Sequence, residues 1–199
     1  MFFTYFLISF PVEDFFKQAI KVDISKISIG RNAPWDVNVL IEIPMGGAPV
    51  KYEIDKASGA MFVDRFLHTA MHYPANYGFI PHTLSEDGDP IDALVLGQVA
   101  VVPGAVVRSR PIGILMMEDE AGQDEKLLMV PVTDLKPYYA NVANYTDVPE
   151  ILRRQIEHFF EHYKDLEEGK WVKTLGWQDE KAAAKAIEKA ALAAAAKGL

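Results

Sequence analysis

The chain has 199 residues, half of them hydrophobic, a formal net charge of −8 and no cysteine. That length is one domain with room for a real core, and the acidic balance argues against a nucleic-acid groove, which needs a basic face. The missing thiols exclude disulfides, thiolate nucleophiles and sulfur-ligated zinc or iron, and suit a reducing cytoplasm.

The apolar run in the opening stretch, MFFTYFLISFPVEDFFKQAIK, is too short to span a bilayer. No Lys or Arg precedes its apolar run and no small-residue cleavage site follows, as a signal peptide requires. Residues 1–21 therefore read as an extension, with the domain proper starting near Val22. Alternation in VNVLIEIP places Val37, Val39, Ile41 and Ile43 on one face of a half-buried strand. VKYEID repeats the pattern with Val50, Tyr52 and Ile54 opposite Lys51, Glu53 and Asp55. AMFVDRF, carrying Arg65, and DALVLG are further strands, and AVVRSRPIGILMMED and KLLMVPV form two long ones joined across EAGQ. Short strands separated by turns point to a small barrel or sandwich rather than alternating β-α units.

Helix is expected late. Asp147 and Glu150 are spaced as a capping box, and Leu152, Ile156, Phe159, Phe160 and Tyr163 make an apolar helical stripe that Gly169 ends. The tail EKAAAKAIEKAALAAAAKGL is strongly helix-prone but has few large apolar anchors, and reads as a peripheral helix that frays.

Two acidic clusters carry the chemistry. LSEDGDPID holds Asp87, Asp89 and Asp92 around a glycine turn, and MEDEAGQDEK holds Asp119 and Asp124. Each alone is equally a solvated hairpin, since Asp-Gly is itself a turn signal. Together they are all-oxygen donors, suited to hard cations such as Mg2+ or Mn2+. Pairing across the second loop would set Asp119 opposite Asp124, with Lys126 on the same strand face as Asp124. Lys51, Arg65, Lys126 and Lys164 could reach a common cleft, where carboxylates facing cations would bind a metal together with a polyanion. HFFEH, from His158 to His162, matches one zinc-protease pattern, but no well-placed third ligand follows it. A nucleotide or phosphate-ester hydrolase is a second enzyme reading. A barrel binding single strands through Tyr73, Tyr77 and Phe79 is a non-catalytic one, disfavoured by the charge.

Taken in order, IEIPMGGAPVKYEIDKASGAMFVDRF, YPANYGFIPHTLSEDGDPIDALV, MEDEAGQDEK and HFFEHYKDLEEGKWVK resemble the soluble, Mg-dependent inorganic pyrophosphatases of bacteria, over about Val37 to Trp177. The resemblance implies an α+β, mainly β fold: a compact OB-like β-barrel with flanking helices, at residues 22–177, followed by the Ala-rich tail at 178–199. It implies hydrolysis of pyrophosphate in the cytoplasm, several Mg2+ ions, no nucleic-acid or membrane partner, and commonly a homohexamer. By that likeness Asp87, Asp92, Asp119, Asp124 and Glu53 serve the metals, with Glu42 behind them. Asp89 is the general base, and Lys51, Arg65, Tyr77, Lys126, Tyr163 and Lys164 hold the phosphoryl groups. Many relatives carry a cysteine where this chain has Ala75, a position outside the functional set.

Overall fold

The computed structural model describes residues 23–199, so the expectations for residues 1–21 lie outside the described residues. Among the described residues nine strands and two α-helices follow in order: β1 (Gly30–Asn32), β2 (Asp36–Ile43), β3 (Val50–Ile54), β4 (Met61–Phe66), β5 (Asn76–Phe79), β6 (Asp92–Val95), β7 (Val106–Asp119), β8 (Gly122–Pro131), α1 (Glu150–His162), β9 (Val172–Asp179) and α2 (Glu180–Lys197). The main sheet runs β1-β2-β5-β6-β8-β7-β9, and an additional β2–β7 pairing closes β2, β5, β6, β8 and β7 into a five-stranded barrel. Closure leaves those strands no free edge. Within it only β6 and β8 run parallel.

The length of β7 makes both closure and extension possible. Its first residues pair with β2, from Val37↔Ser109 to Leu40↔Val106, and its later ones pair with β9, from Gly113↔Asp179 to Asp119↔Val172. Gly78 is needed where β5 meets β2, because a Cβ there would lie 1.9 Å from the Leu40 carbonyl oxygen. The β3–β4 hairpin stands apart as a two-stranded sheet.

Alternation along the β7–β8 ribbon sorts the core into two clusters. Leu115, Leu128 and Val130 pack with Ile156, Phe159 and Phe160 of α1, while Ile114, Leu127 and Met129 pack with Ala183, Ile187 and Ala190 of α2. The two helices thus cover opposite faces of one ribbon. From Val39 onward β2 is buried on both faces rather than one: Leu40 is as enclosed as Val39 and Ile41, and Glu42 is buried too.

Several expectations are corrected. Asp147 does not cap α1; its Oδ2 accepts from the backbone N–H groups of Ala143 and Asn144, closing a preceding short turn, and Pro149 leads into the helix without a side-chain cap. The helix ends at His162, not Gly169, and residues 163–169 form turns. Asp165, Glu167 and Glu168 would have added negative charge to the negative end of the helix dipole. Asp119 pairs with Gly122 and Asp124 with Met117, because the turn between the strands is tighter than EAGQ; the two aspartates are diagonal neighbours on one face. The Ala-rich segment is helical but does not lie loose at the periphery. Ala183, Ala184, Ile187, Ala190 and Ala194 are buried, Asp179 Oδ1 accepts from the Ala182 N–H at 2.9 Å, and Gly198 ends the helix at φ 71°. Small side chains let the helix approach the strands closely, which substitutes for large anchors.

Candidate active site

Every site residue expected from the sequence lines one cleft of about 280 Å3 beside the barrel. Each arrives by a specific backbone device. The β2–β5 register shifts between Ile41 and Ile43, a bulge that turns Glu42 toward the cleft. There its Oε1 accepts from the Ile54 N–H at 2.8 Å, tying β3 to the barrel. In the β3–β4 hairpin Lys51 lies directly opposite Arg65, and Lys51 pairs with Glu53 and, at 3.3 Å, with Asp64. Arg65 reaches Glu167 at 3.6 Å, and its Nε, 4.0 Å from Asp64, has no hydrogen-bond partner among the described residues.

The loop between β5 and β6 carries Asp87 and Asp89, whose N–H donates to Asp87 Oδ1 at 3.0 Å. Parallel pairing sets Asp92 beside Lys126, and Lys126 Nζ contacts Asp92 Oδ2 at 2.5 Å and Asp124 Oδ1 at 2.9 Å. Lys164, just past α1, contacts Asp119 Oδ2 at 2.7 Å. Tyr163 and Tyr77 are buried in the wall, and Lys126 Nζ lies 5.9 Å from the Tyr77 ring centroid.

Burial and charge perturb these groups in opposite directions. Glu42 is pushed up to about 7, chiefly by desolvation, which outweighs the hydrogen bond from Ile54; Asp92 and Glu53 add to the rise. Burial also raises Asp124, and with the Asp92 charge it holds the Tyr77 phenol well above its ordinary range. Burial works to lower Lys126, but Asp92 and Asp124 outweigh it and hold the amine charged.

One consequence is measurable in EDTA. Glu42 has a folded pKa raised from 4.5 to about 7, so its contribution to stability is full below pH 4.5 and is lost as pH rises through 7. The amplitude is about 3 kcal/mol for such a shift. Glu42→Gln should flatten urea stability between pH 4.5 and 7 relative to the parent; an unchanged pH slope would remove this assignment.

Lys56 is a cleft residue that sequence reasoning missed. It sits in the turn after β3 and its Nζ lies 3.3 Å from Asp89 Oδ1. A lysine beside Ser58 and Gly59 reads as an exposed turn residue, and only folding brings it to Asp89. A larger cavity of about 620 Å3, between α1 and residues 71–74, is lined by Met45, Met71, Arg154 and His158 among others and contains no carboxylate. The rings of His158 and His162 lie 4.5 Å apart between centroids, tilted by 56°, and His162 Nδ1 pairs with Asp165 at 2.8 Å. No group of three Asp, Glu or His side chains closes on a single point among the described residues, here or in the acidic cleft, where lysine amines stand between the carboxylates.

Residues 39–195 match the family model described as inorganic pyrophosphatase. The chain belongs to the inorganic pyrophosphatase family. The inorganic pyrophosphatase of Rhodospirillum rubrum is 63% identical over 175 residues, covering 88% of this chain and 98% of that one. The Caulobacter vibrioides protein of the same description is 65% identical over 158 residues, 79% of this chain and 89% of its own. A crystal structure described as an inorganic phosphatase of Anaplasma phagocytophilum superposes with a TM-score of 0.84 at 52% identity, covering 85% of this chain and 99% of that one. The protein is a hydrolase of this family, with the OB-like barrel expected of it, and family members of this type are metal-dependent. The cleft fits that requirement, since its acidic donors are all carboxylate oxygens, the ligands of hard cations. No helix among the described residues is long and apolar enough to cross a membrane.

Proposed function

We infer that the cleft hydrolyses inorganic pyrophosphate to two orthophosphates, with Asp89 as general base and Mg2+ as the working cation. The observation that carries this is the convergence of seven carboxylates with Lys51, Lys56, Arg65, Lys126 and Lys164 on one small cleft. Carboxylates alone would suit a cation, and cations alone a phosphate. Their confrontation suits a polyanion that arrives with divalent ions.

In this reading Asp87, Asp92, Asp119, Asp124 and Glu53 hold the cations, with Glu42 behind them and Mn2+ a workable substitute. When bound, the cations supply positive charge that lowers the pKa of the attacking water and offsets that of the phosphoryl oxygens. Asp89, on the exposed tip of its loop, accepts the proton from that water. Lys51, Arg65, Lys126 and Lys164 hold the phosphoryl groups and stabilise charge as it moves to the departing phosphate. Tyr77 and Tyr163 stay protonated, because burial raises both, and can donate phenolic hydrogen bonds. The Lys164 side chain must do its binding unaided, since it follows the negative end of α1.

The cleft is lined chiefly by charged side chains, which favours the compact, fully charged pyrophosphate over a nucleotide with its apolar base. The proposal extends to a catalytic unit over residues 22–177 with its helical tail at 178–199, to a homohexamer, and to the cytoplasm, whose reducing conditions suit a chain without cysteine. Phosphate release should be fast with Mg2+ and pyrophosphate, abolished by EDTA, and slight with ATP or a simple phosphate monoester. Comparable release from ATP would overturn the substrate assignment, and EDTA-resistant release the cofactor.

A further inference from the structure

The segment bearing Asp87 and Asp89 is braced from three sides. At its base Ile80 N–H donates to the Ile91 carbonyl at 3.1 Å, and Thr83 Oγ1 donates to the Ile80 carbonyl and accepts from the Ile91 N–H at 3.0 Å. At its tip the Ser85 N–H donates to the Asp89 carbonyl at 2.7 Å. The third brace comes from the far end of the chain. The Leu84 N–H donates to the carbonyl of Ala190 at 2.9 Å, in the interior of α2. One residue earlier on the helix, Lys189 Nζ pairs with Glu86 Oε1 at 2.7 Å.

A carbonyl inside a helix already accepts from the amide four residues on, and neighbouring side chains normally shield it from the flank. Here the shield is thin. Ala186, Ala190 and Ala193 line the gap beside Leu84 and Ser85, a space of only about 240 Å3. The helix cannot drift away from the loop, because Ala183 and Ile187 are fully buried against the strands. The Glu86–Lys189 pair is exposed and worth little by itself. The buried hydrogen bond at Ala190 is therefore the principal contact.

We propose that α2 is a positioning element of the active site, in which Ala190, assisted by Lys189, fixes the register of the Asp87–Asp89 loop against the cleft. The proposal rests on the reading of Asp89 as general base. Displacement of a base by about 1 Å is enough to cost a hundredfold in rate, so a helix remote in sequence can govern turnover without touching substrate. At saturating Mg2+, which fills the cation site that Asp87 shares, the contribution belongs in kcat: the lysines and Arg65 that hold phosphate lie outside the loop.

The test is a steady-state series on the full chain with pyrophosphate and Mg2+, with circular dichroism and thermal melting on each variant. Ala190→Leu, which forces Leu84 away from the carbonyl, should lower kcat at least about tenfold with KM changed less than about twofold. Ala190→Gly, which leaves the approach open, should recover most of that kcat even though it weakens the helix. Ala195→Leu, on the exposed face of the same helix, should match the parent. Lys189→Glu should lower kcat about threefold, and the exchange Glu86→Lys with Lys189→Glu should restore it. If Ala190→Leu does not fold, the charge exchange decides. A folded Ala190→Leu with parental kcat, a loss in Ala195→Leu equal to that in Ala190→Leu, or an exchange that restores nothing each overturns the proposal. Asp89→Asn in the same series separates the two readings: turnover surviving in that variant condemns the base assignment, not the positioning of the loop.

Discussion

Asp89→Asn is expected to lower kcat for pyrophosphate by about 10²–10⁴-fold, the usual worth of a positioned general base. The substitution keeps the size of the side chain and its backbone setting. The Asp89 N–H still donates to Asp87 Oδ1, and the Asp89 carbonyl still accepts from Ser85, because neither contact uses the Asp89 side chain. Among the described residues the only side-chain contact altered is that with Lys56, a loose one at 3.3 Å between exposed groups. Mg2+ and pyrophosphate binding, followed by calorimetry, should therefore stay near that of the parent while turnover collapses. Retained turnover would move the base elsewhere in the cleft. Lost binding alongside lost turnover would make Asp89 a ligand rather than a base.

Lys126→Met carries the second large effect, and its signature lies in the contrast between two conditions. Lys126 is buried between Asp92 and Asp124, and among the described residues is the only cation in contact with either. Removing one member of such a group leaves like charges facing each other at low dielectric, a loss of about 3 kcal/mol in EDTA. If the same carboxylates hold Mg2+, as proposed, the ion supplies the missing positive charge, and most of that loss should vanish when urea midpoints are measured at saturating Mg2+. Activity should nonetheless fall about 10²-fold if Lys126 donates to the developing phosphate charge as proposed. Equal destabilisation in both conditions would mean that Asp92 and Asp124 do not hold the cation.

The cleft was legible in the sequence because its residues come in short motifs whose spacing survives folding. Asp87, Asp89 and Asp92 share a loop, and Asp124 and Lys126 share a strand face by the period of two. What escaped was whatever depends on pairing between distant segments. Nothing local to KYEIDKASG says that Lys56 will face Asp89, or that β6 will run parallel to β8 and set Lys126 beside Asp92. β5 escaped as a strand because NYGF is only four residues long, and β9 because its pattern follows no clean alternation. The fraying assigned to the Ala-rich tail came from a lack of large side chains. In the fold, smallness is what lets the helix sit close enough for Leu84 to reach Ala190.

The closing pair β2–β7 has a kinetic meaning as well. It joins residues 37–40 to residues 106–109, and the cleft draws on positions from Glu42 to Lys164. Such distant contacts must each overcome a long loop-closure entropy, which slows folding and defers its reward to the end. No fragment and no half-formed sheet can contain the cleft, so recovered turnover after dilution from urea reports ring completion rather than mere collapse. A nascent chain still emerging from the ribosome would be catalytically silent until Lys164 is free to fold.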